Sequence, residues 1–191
     1  MTNYCPCCGS ESSAPKGNKH AKYLLVFNKP YVNGTGWKDR NSGLDVLRKE
    51  LQKVGLDLNS DFRQVTLWLH EPTKNEDCYT AGRSVVLDEA KGKECVVLVG
   101  AEPCEEFTGL YASDVYGLQV ESTVLSAPII FVIPKPESVF VQGSGIGELR
   151  LSIQKLERLL DSDTVETEEN DILCDEFGNP TKHKLYKDMN S

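Results

Sequence analysis

Four short apolar runs, each followed by a polar stretch, organise the chain. YLLVF at Tyr23 to Phe27, ECVVLVG at Glu94 to Gly100 and PIIFVI at Pro128 to Ile133 are apolar almost throughout. Strands of that kind are buried on both faces, as in parallel sheets covered by helices. FRQVTLWL at Phe62 to Leu69 sets Val65, Leu67 and Leu69 on one face and is the remaining strand. Between the runs the period changes. Leu44, Leu47, Leu51 and Val54 recur at helical spacing and Gly55 closes that helix,. Further helices are predicted over Arg83 to Lys91, over Ala101 to Thr108 ending at Gly109, and through Leu149, Ile153, Leu156 and Leu160. Tyr111 to Ser126 alternates loosely around Gly117 and reads as irregular chain or a short antiparallel excursion. The alternation predicts an α/β fold with a central, mostly parallel four-stranded sheet flanked by helices.

In such a sheet ligands bind in the loops that leave the carboxyl ends of the strands. The first of these loops holds Lys29, Pro30, Trp37, Lys38 and three glycines, Gly34, Gly36 and Gly43. The last opens with Pro134-Lys135-Pro136, which cannot continue a central ladder and so marks a strand end,. Gly143-Ser144-Gly145-Ile146-Gly147 follows a loop rather than a strand, which favours a helix entry over a phosphate cradle,.

At 191 residues, with 39% hydrophobic and 26% charged residues, the chain suits one soluble domain. No apolar run approaches the ~18 residues of a membrane span and no signal peptide is visible, so a cytoplasmic protein is expected. The formal net charge of −8 is unevenly spread. Asp161 to Glu176 carries eight acidic residues and no Lys or Arg, which leaves residues 1–160 close to neutral. That balance neither supports nor excludes nucleic acid. The expected organisation is a knuckle and connector over 1–21, an α/β domain over 22–160, and an acidic, mobile tail over 161–191.

Seven cysteines in a cytosolic chain point to metal or inert thiols before disulfides. Cys5-Pro6-Cys7-Cys8-Gly9 has the form of a knuckle, because thiols at Cys5 and Cys8 with a glycine to turn the backbone can grip one ion,. That is half a site. Cys7 could substitute for a neighbour, whereas Cys95 and Cys104 read as buried strand and helix residues. His70, at the end of the second strand, is either a ligand or a hydrogen-bonded strand-end histidine.

The order of these pieces resembles the uracil-DNA glycosylase superfamily, most closely its iron–sulfur family-4 branch, over roughly residues 5–160. VFNKPY at Val26 to Tyr31, SGLDVL at Ser42 to Leu47, QVTLWLHEP at Gln64 to Pro72, VGAEPCEEFTG at Val99 to Gly109 and FVIPKP at Phe131 to Pro136 carry the likeness. The resemblance implies a parallel sheet with DNA across its strand ends. It also completes the metal set: His70 and Cys78 fall at the family's two remaining ligand positions, giving Cys5, Cys8, His70 and Cys78 for one [4Fe-4S] cluster or one zinc ion.

Both chemical positions of the family are altered here. Its first-loop acid aligns with Asn28, followed by Lys29-Pro30-Tyr31, and its last-loop histidine aligns with Lys135. A general base is missing from both loops on this comparison. Two readings follow. In one, the protein is a DNA-binding accessory of replication or repair, with Lys29, Tyr31, Trp37, Lys38, Arg40 and Lys135 meeting single- or double-stranded DNA. In the other it is a divergent glycosylase, with Asn28 positioning water and Lys135 steadying the departing base. The acidic tail is a candidate contact for replication or repair proteins. Size, acidity and altered motifs would suit a phage-encoded protein in a host cytoplasm.

Overall fold

The computed structural model describes residues 3–31, 43–141 and 145–169. Its elements in chain order are β1 (Asn3–Tyr4), β2 (Glu11–Ser12), β3 (Lys16–Gly17), β4 (Tyr23–Phe27), α1 (Gly43–Lys53), β5 (Phe62–Thr66), α2 (Glu76–Ala90), β6 (Cys95–Val99), α3 (Ala101–Thr108), α4 (Ala112–Val115), β7 (Ile129–Ile133), α5 (Ser138–Val141) and α6 (Gly145–Glu169). β1 and β2 form a small antiparallel pair across the knuckle.

The main sheet has five strands in the order β3-β5-β4-β6-β7. The four predicted strands are its parallel members. The expectation of a four-stranded sheet is corrected by β3, which pairs antiparallel on the outer edge of β5 with Lys16 opposite Gln64 and Gly17 opposite Arg63. Two residues without an apolar pattern can still add to an edge, because only backbone hydrogen bonds are needed there.

From β4 the chain passes first to β5 on one side and later to β6 on the other. The carboxyl end of β4 is therefore a switch point, the place where connections diverge and leave a crevice. Every residue of β6 and β7 is buried. Leu24, Val26, Val96, Leu98, Ile130 and Val132 pack with Val86 of α2 and Phe107 of α3 on one face of the sheet. The alternate set, including Leu25, Val97 and Phe131, is buried as well, which is why these strands read as continuous apolar runs.

Three boundaries differ from the sequence reading. β5 stops at Thr66, and the chain bends through Leu67–Leu69 to deliver His70. α2 starts at Glu76 rather than Arg83, because Asn75 caps it by accepting a hydrogen bond from the Asp77 N–H at 3.0 Å. Glu76 and Asp77 in the first turn suit the positive end of the helix dipole, although they read as loop chemistry,. α6 runs on to Glu169, nine residues into the segment expected to be tail. By internal contacts the chain divides into a unit over Met1–Lys155 and a second over Leu156–Ser191. The segment read as irregular chain or a short antiparallel excursion holds α4 and an isolated antiparallel bridge from Gln119 to Phe131.

Candidate metal centre and strand-end cleft

The knuckle folds as its composition demands. Gly9 sits in the left-handed region at φ 71°, its N–H donates to the Cys5 carbonyl at 2.9 Å, and the Cys5 N–H donates to the Ser10 carbonyl at 2.8 Å. This tight turn points Cys5 and Cys8 the same way. The N–H of Ser13 then donates to the Leu69 carbonyl at 2.6 Å, tying the chain after the knuckle to the bend that follows β5.

Four ligand atoms meet at that junction. One atom each from Cys5, Cys8, His70 and Cys78 lies within 4.8 Å of all the others. Cys5 and Cys78 are buried, and Cys8 is exposed. His70 Nδ1–H donates to the Glu71 carbonyl at 2.8 Å, since a carbonyl only accepts. That bond leaves Nε2 without a proton in the neutral ring and aims it at Cys8 Sγ, 3.4 Å away. A ligating histidine is oriented in this way by a partner on its other nitrogen. The set could therefore hold one metal ion such as zinc, with four donors and closed coordination,.

The thiols are unequal. Burial by itself would raise Cys5, but the backbone N–H groups of Cys7 and Cys8 outweigh it and hold the thiol below its ordinary value. Hydrogen bonds from the side chain and backbone of Ser10 lower Cys8. Cys78 is pushed up to about 12, first by burial and then by its neighbours Cys8 and Cys5. Three thiols crowded together cannot all ionise without a cation among them, and a bound ion supplies that charge.

Cys7 is not one of the four. Its Sγ donates to the Asp77 carbonyl at 3.2 Å on the exposed side of the knuckle. Cys95 and Cys104 are buried in β6 and α3, as expected.

A glycine sets the spacing between the two later ligands. Gly82 packs α2 so closely against the bend after β5 that a Cβ there would overlap the Leu67 carbonyl. The helix carrying Cys78 and the segment leading to His70 are thereby held within reach of one ion.

The second feature is a cleft at the strand ends. Phe27, Asn28, Lys29, Pro30 and Tyr31 after β4, Val99 at the end of β6, and Lys135 and Glu137 after β7 line it together. Asn28 and Lys135, predicted from separate loops, thus share one cavity. Gly100 turns the chain into α3 beside it in a left-handed conformation, φ 87°, and donates its N–H to the Ile133 carbonyl at 3.0 Å. A Cβ at Gly100 would lie 3.4 Å from Lys135 Cβ.

Tyr31 is half-buried and its ring meets Phe27 edge-on, with centroids 5.4 Å apart. Burial, then the charge and hydrogen bond of Glu137, raises its hydroxyl far above the ordinary range. Lys29 Nζ donates to Glu71 Oε1 at 2.7 Å. Trp37, Lys38 and Arg40 lie outside the described residues.

Glu137 is the residue that the sequence comparison missed. It stands one position beyond Pro136, and it places a carboxylate in a cleft for which no general base had been found. Its Oε2 is buried without a hydrogen-bond partner among the described residues. A Cβ at Gly43 would come within 2.6 Å of Glu137 Oε1, so the missing side chain at the start of α1 makes room for the carboxylate.

No family model matches the chain, and no curated protein matches it. Among the described residues, no helix is long and apolar enough to cross a membrane.

Proposed function

We propose that the strand-end cleft is a nucleic-acid site and that the chain is a DNA-binding protein built on the plan of the uracil-DNA glycosylase superfamily, serving replication or repair. One observation carries this reading: Asn28 and Lys135 line a single cavity with Tyr31 at the carboxyl ends of parallel strands. A lysine at the mouth suits a phosphate, the amide of Asn28 suits a base edge, and the Phe27–Tyr31 pair gives a firm apolar wall. The near-neutral charge of residues 1–160 implies modest affinity, with a salt slope set by the few lysines at the cleft,.

For the metal we favour a single zinc ion over a four-iron cluster. Tetrahedral zinc with bonds of about 2.3 Å to sulfur sets its ligand atoms roughly 3.8 Å apart. An iron–sulfur cube lies between its cysteines and spreads them more widely. Donor atoms within 4.8 Å of one another match the smaller object. The ion's role is structural, joining the N-terminal knuckle to β5 and α2.

Glu137 supports a second reading, an active glycosylase. A carboxylate in the cleft could take a proton from water as the water oxygen bonds to the sugar carbon, while Lys135 stabilises the departing base.

Oligonucleotides containing uracil, other modified pyrimidines or mismatches, single- and double-stranded, separate the two. The binding reading expects complex formation without abasic sites, and a fall in the salt slope of about 1 in Lys135→Ala. Abasic sites that disappear in Asn28→Ala and Glu137→Gln would replace it with the enzymatic reading. Failure to bind any of them would reject both.

A further inference from the structure

The metal centre and the cleft share the segment Leu67–Glu71. On one side, the Leu67 N–H donates to the Phe27 carbonyl and the Trp68 N–H to the Asn28 carbonyl, both at 2.9 Å. On the other, His70 Nε2 lies 3.4 Å from Cys8 Sγ. Glu71 joins the two sides: its carbonyl accepts from His70 Nδ1–H at 2.8 Å and its carboxylate accepts from Lys29 Nζ at 2.7 Å. From the knuckle to the lip of the cleft there are three successive contacts, Cys8 to His70, His70 to Glu71, and Glu71 to Lys29.

The links differ in strength. The side chains of Lys29 and Glu71 are 44% and 65% exposed, and an exposed ion pair contributes little by itself. Such a pair cannot hold a lysine in place unless one partner is fixed by something else. The Glu71 backbone is fixed by a hydrogen bond from an imidazole, and a metal ion on the far nitrogen would lock that imidazole.

We propose that metal occupancy at Cys5, Cys8, His70 and Cys78 positions the Asn28–Lys29 lip of the cleft, with His70 and Glu71 as the positioning residues between them. The inference rests on the single-ion reading of the metal site and not on the identity of the cleft's ligand. The ion fixes the imidazole, the imidazole fixes Glu71, and Glu71 keeps the Lys29 ammonium at the cavity mouth. None of the four ligands lines the cleft, so this influence is indirect.

Two measurements on the full chain test it. Backbone amide exchange is followed in zinc-loaded protein and after chelation, together with the side-chain mobility of Lys29 by NMR relaxation. Loss of zinc should speed exchange of the Trp68 amide about tenfold and free the Lys29 side chain, with Val96 to Leu98 still protected. The variant His70→Cys serves where the stripped protein unfolds altogether. Four cysteines also bind zinc, but cysteine has no Nδ1–H for the Glu71 carbonyl. Zinc-loaded His70→Cys should therefore show the same faster exchange and freed lysine. Wild-type protection at Trp68 in folded, stripped protein, or in zinc-loaded His70→Cys, would overturn the proposal. Oligonucleotide binding is scored separately on the same samples, so a cleft that binds no DNA leaves this result standing.

Discussion

Substituting Cys78→Ser should leave the purified protein without stoichiometric zinc and lower its stability by an amount that depends on free metal. An ion that binds only the folded chain contributes roughly 4 kcal/mol when its free concentration is 1,000 times its Kd. Cys78 is buried beside Cys5 and Cys8, and serine there offers no thiolate to complete the set. Wild-type protein should carry one zinc per chain by elemental analysis and lose thermal stability on chelation, whereas Cys78→Ser should start lower and not respond to the chelator. Cys7→Ser is the matched control, because Cys7 lies outside the four and its thiol donates to the Asp77 carbonyl. Cys7→Ser should retain the ion. Iron with sulfide, and absorbance near 400 nm, would instead establish a cluster.

The second large effect is expected at Gly82. Alanine in a helix interior is ordinarily better than glycine by about 1 kcal/mol, so propensity alone predicts stabilisation. Here a Cβ would overlap the Leu67 carbonyl, a backbone atom in the bend after β5 whose own N–H is held by the Phe27 carbonyl at 2.9 Å and which cannot swing aside like a side chain. Forced shifts in a packed core cost about 1–3 kcal/mol or more, so the clash wins. Gly82→Ala should be destabilised by roughly 2 kcal/mol in urea unfolding. It should also bind zinc more weakly, since moving α2 outward carries Cys78 away from His70. Unchanged stability would mean that α2 and the bend after β5 do not approach this closely.

The fold's frame was legible because burial on both faces writes itself as uninterrupted apolar sequence. The run Tyr23 to Phe27 coincides with β4, and β6 and β7 fall inside their predicted segments. Elements held by backbone or polar groups were less visible. β3 is an edge strand with no apolar residue, and the first turn of α2 hides behind charged residues that its dipole favours. Asn75 was the signal available for that helix start, as a capping residue before acids.

The site shows the same division. Local spacing could identify Cys5 and Cys8 but not their distant partners. His70 and Cys78 came from the resemblance, and it is the bend after Thr66 together with the close contact at Gly82 that brings them into range. Glu137 escaped notice because a comparison of loop motifs ends at Pro136, whereas α5 starts at Ser138 and leaves Glu137 facing the cleft. Glu71 gave no sign in the sequence, since its role depends on two neighbours, Lys29 and His70, that only the fold and its strand-end bend supply.

The cleft's role is tested most directly by titrating isotope-labelled protein with a short single-stranded oligonucleotide at low salt and mapping amide shifts by NMR. Perturbations should concentrate at Phe27 to Lys29, Tyr31, Val99, Lys135 and Glu137 and fade as salt is raised. Shifts confined to another surface, or none at any salt concentration, would contradict it.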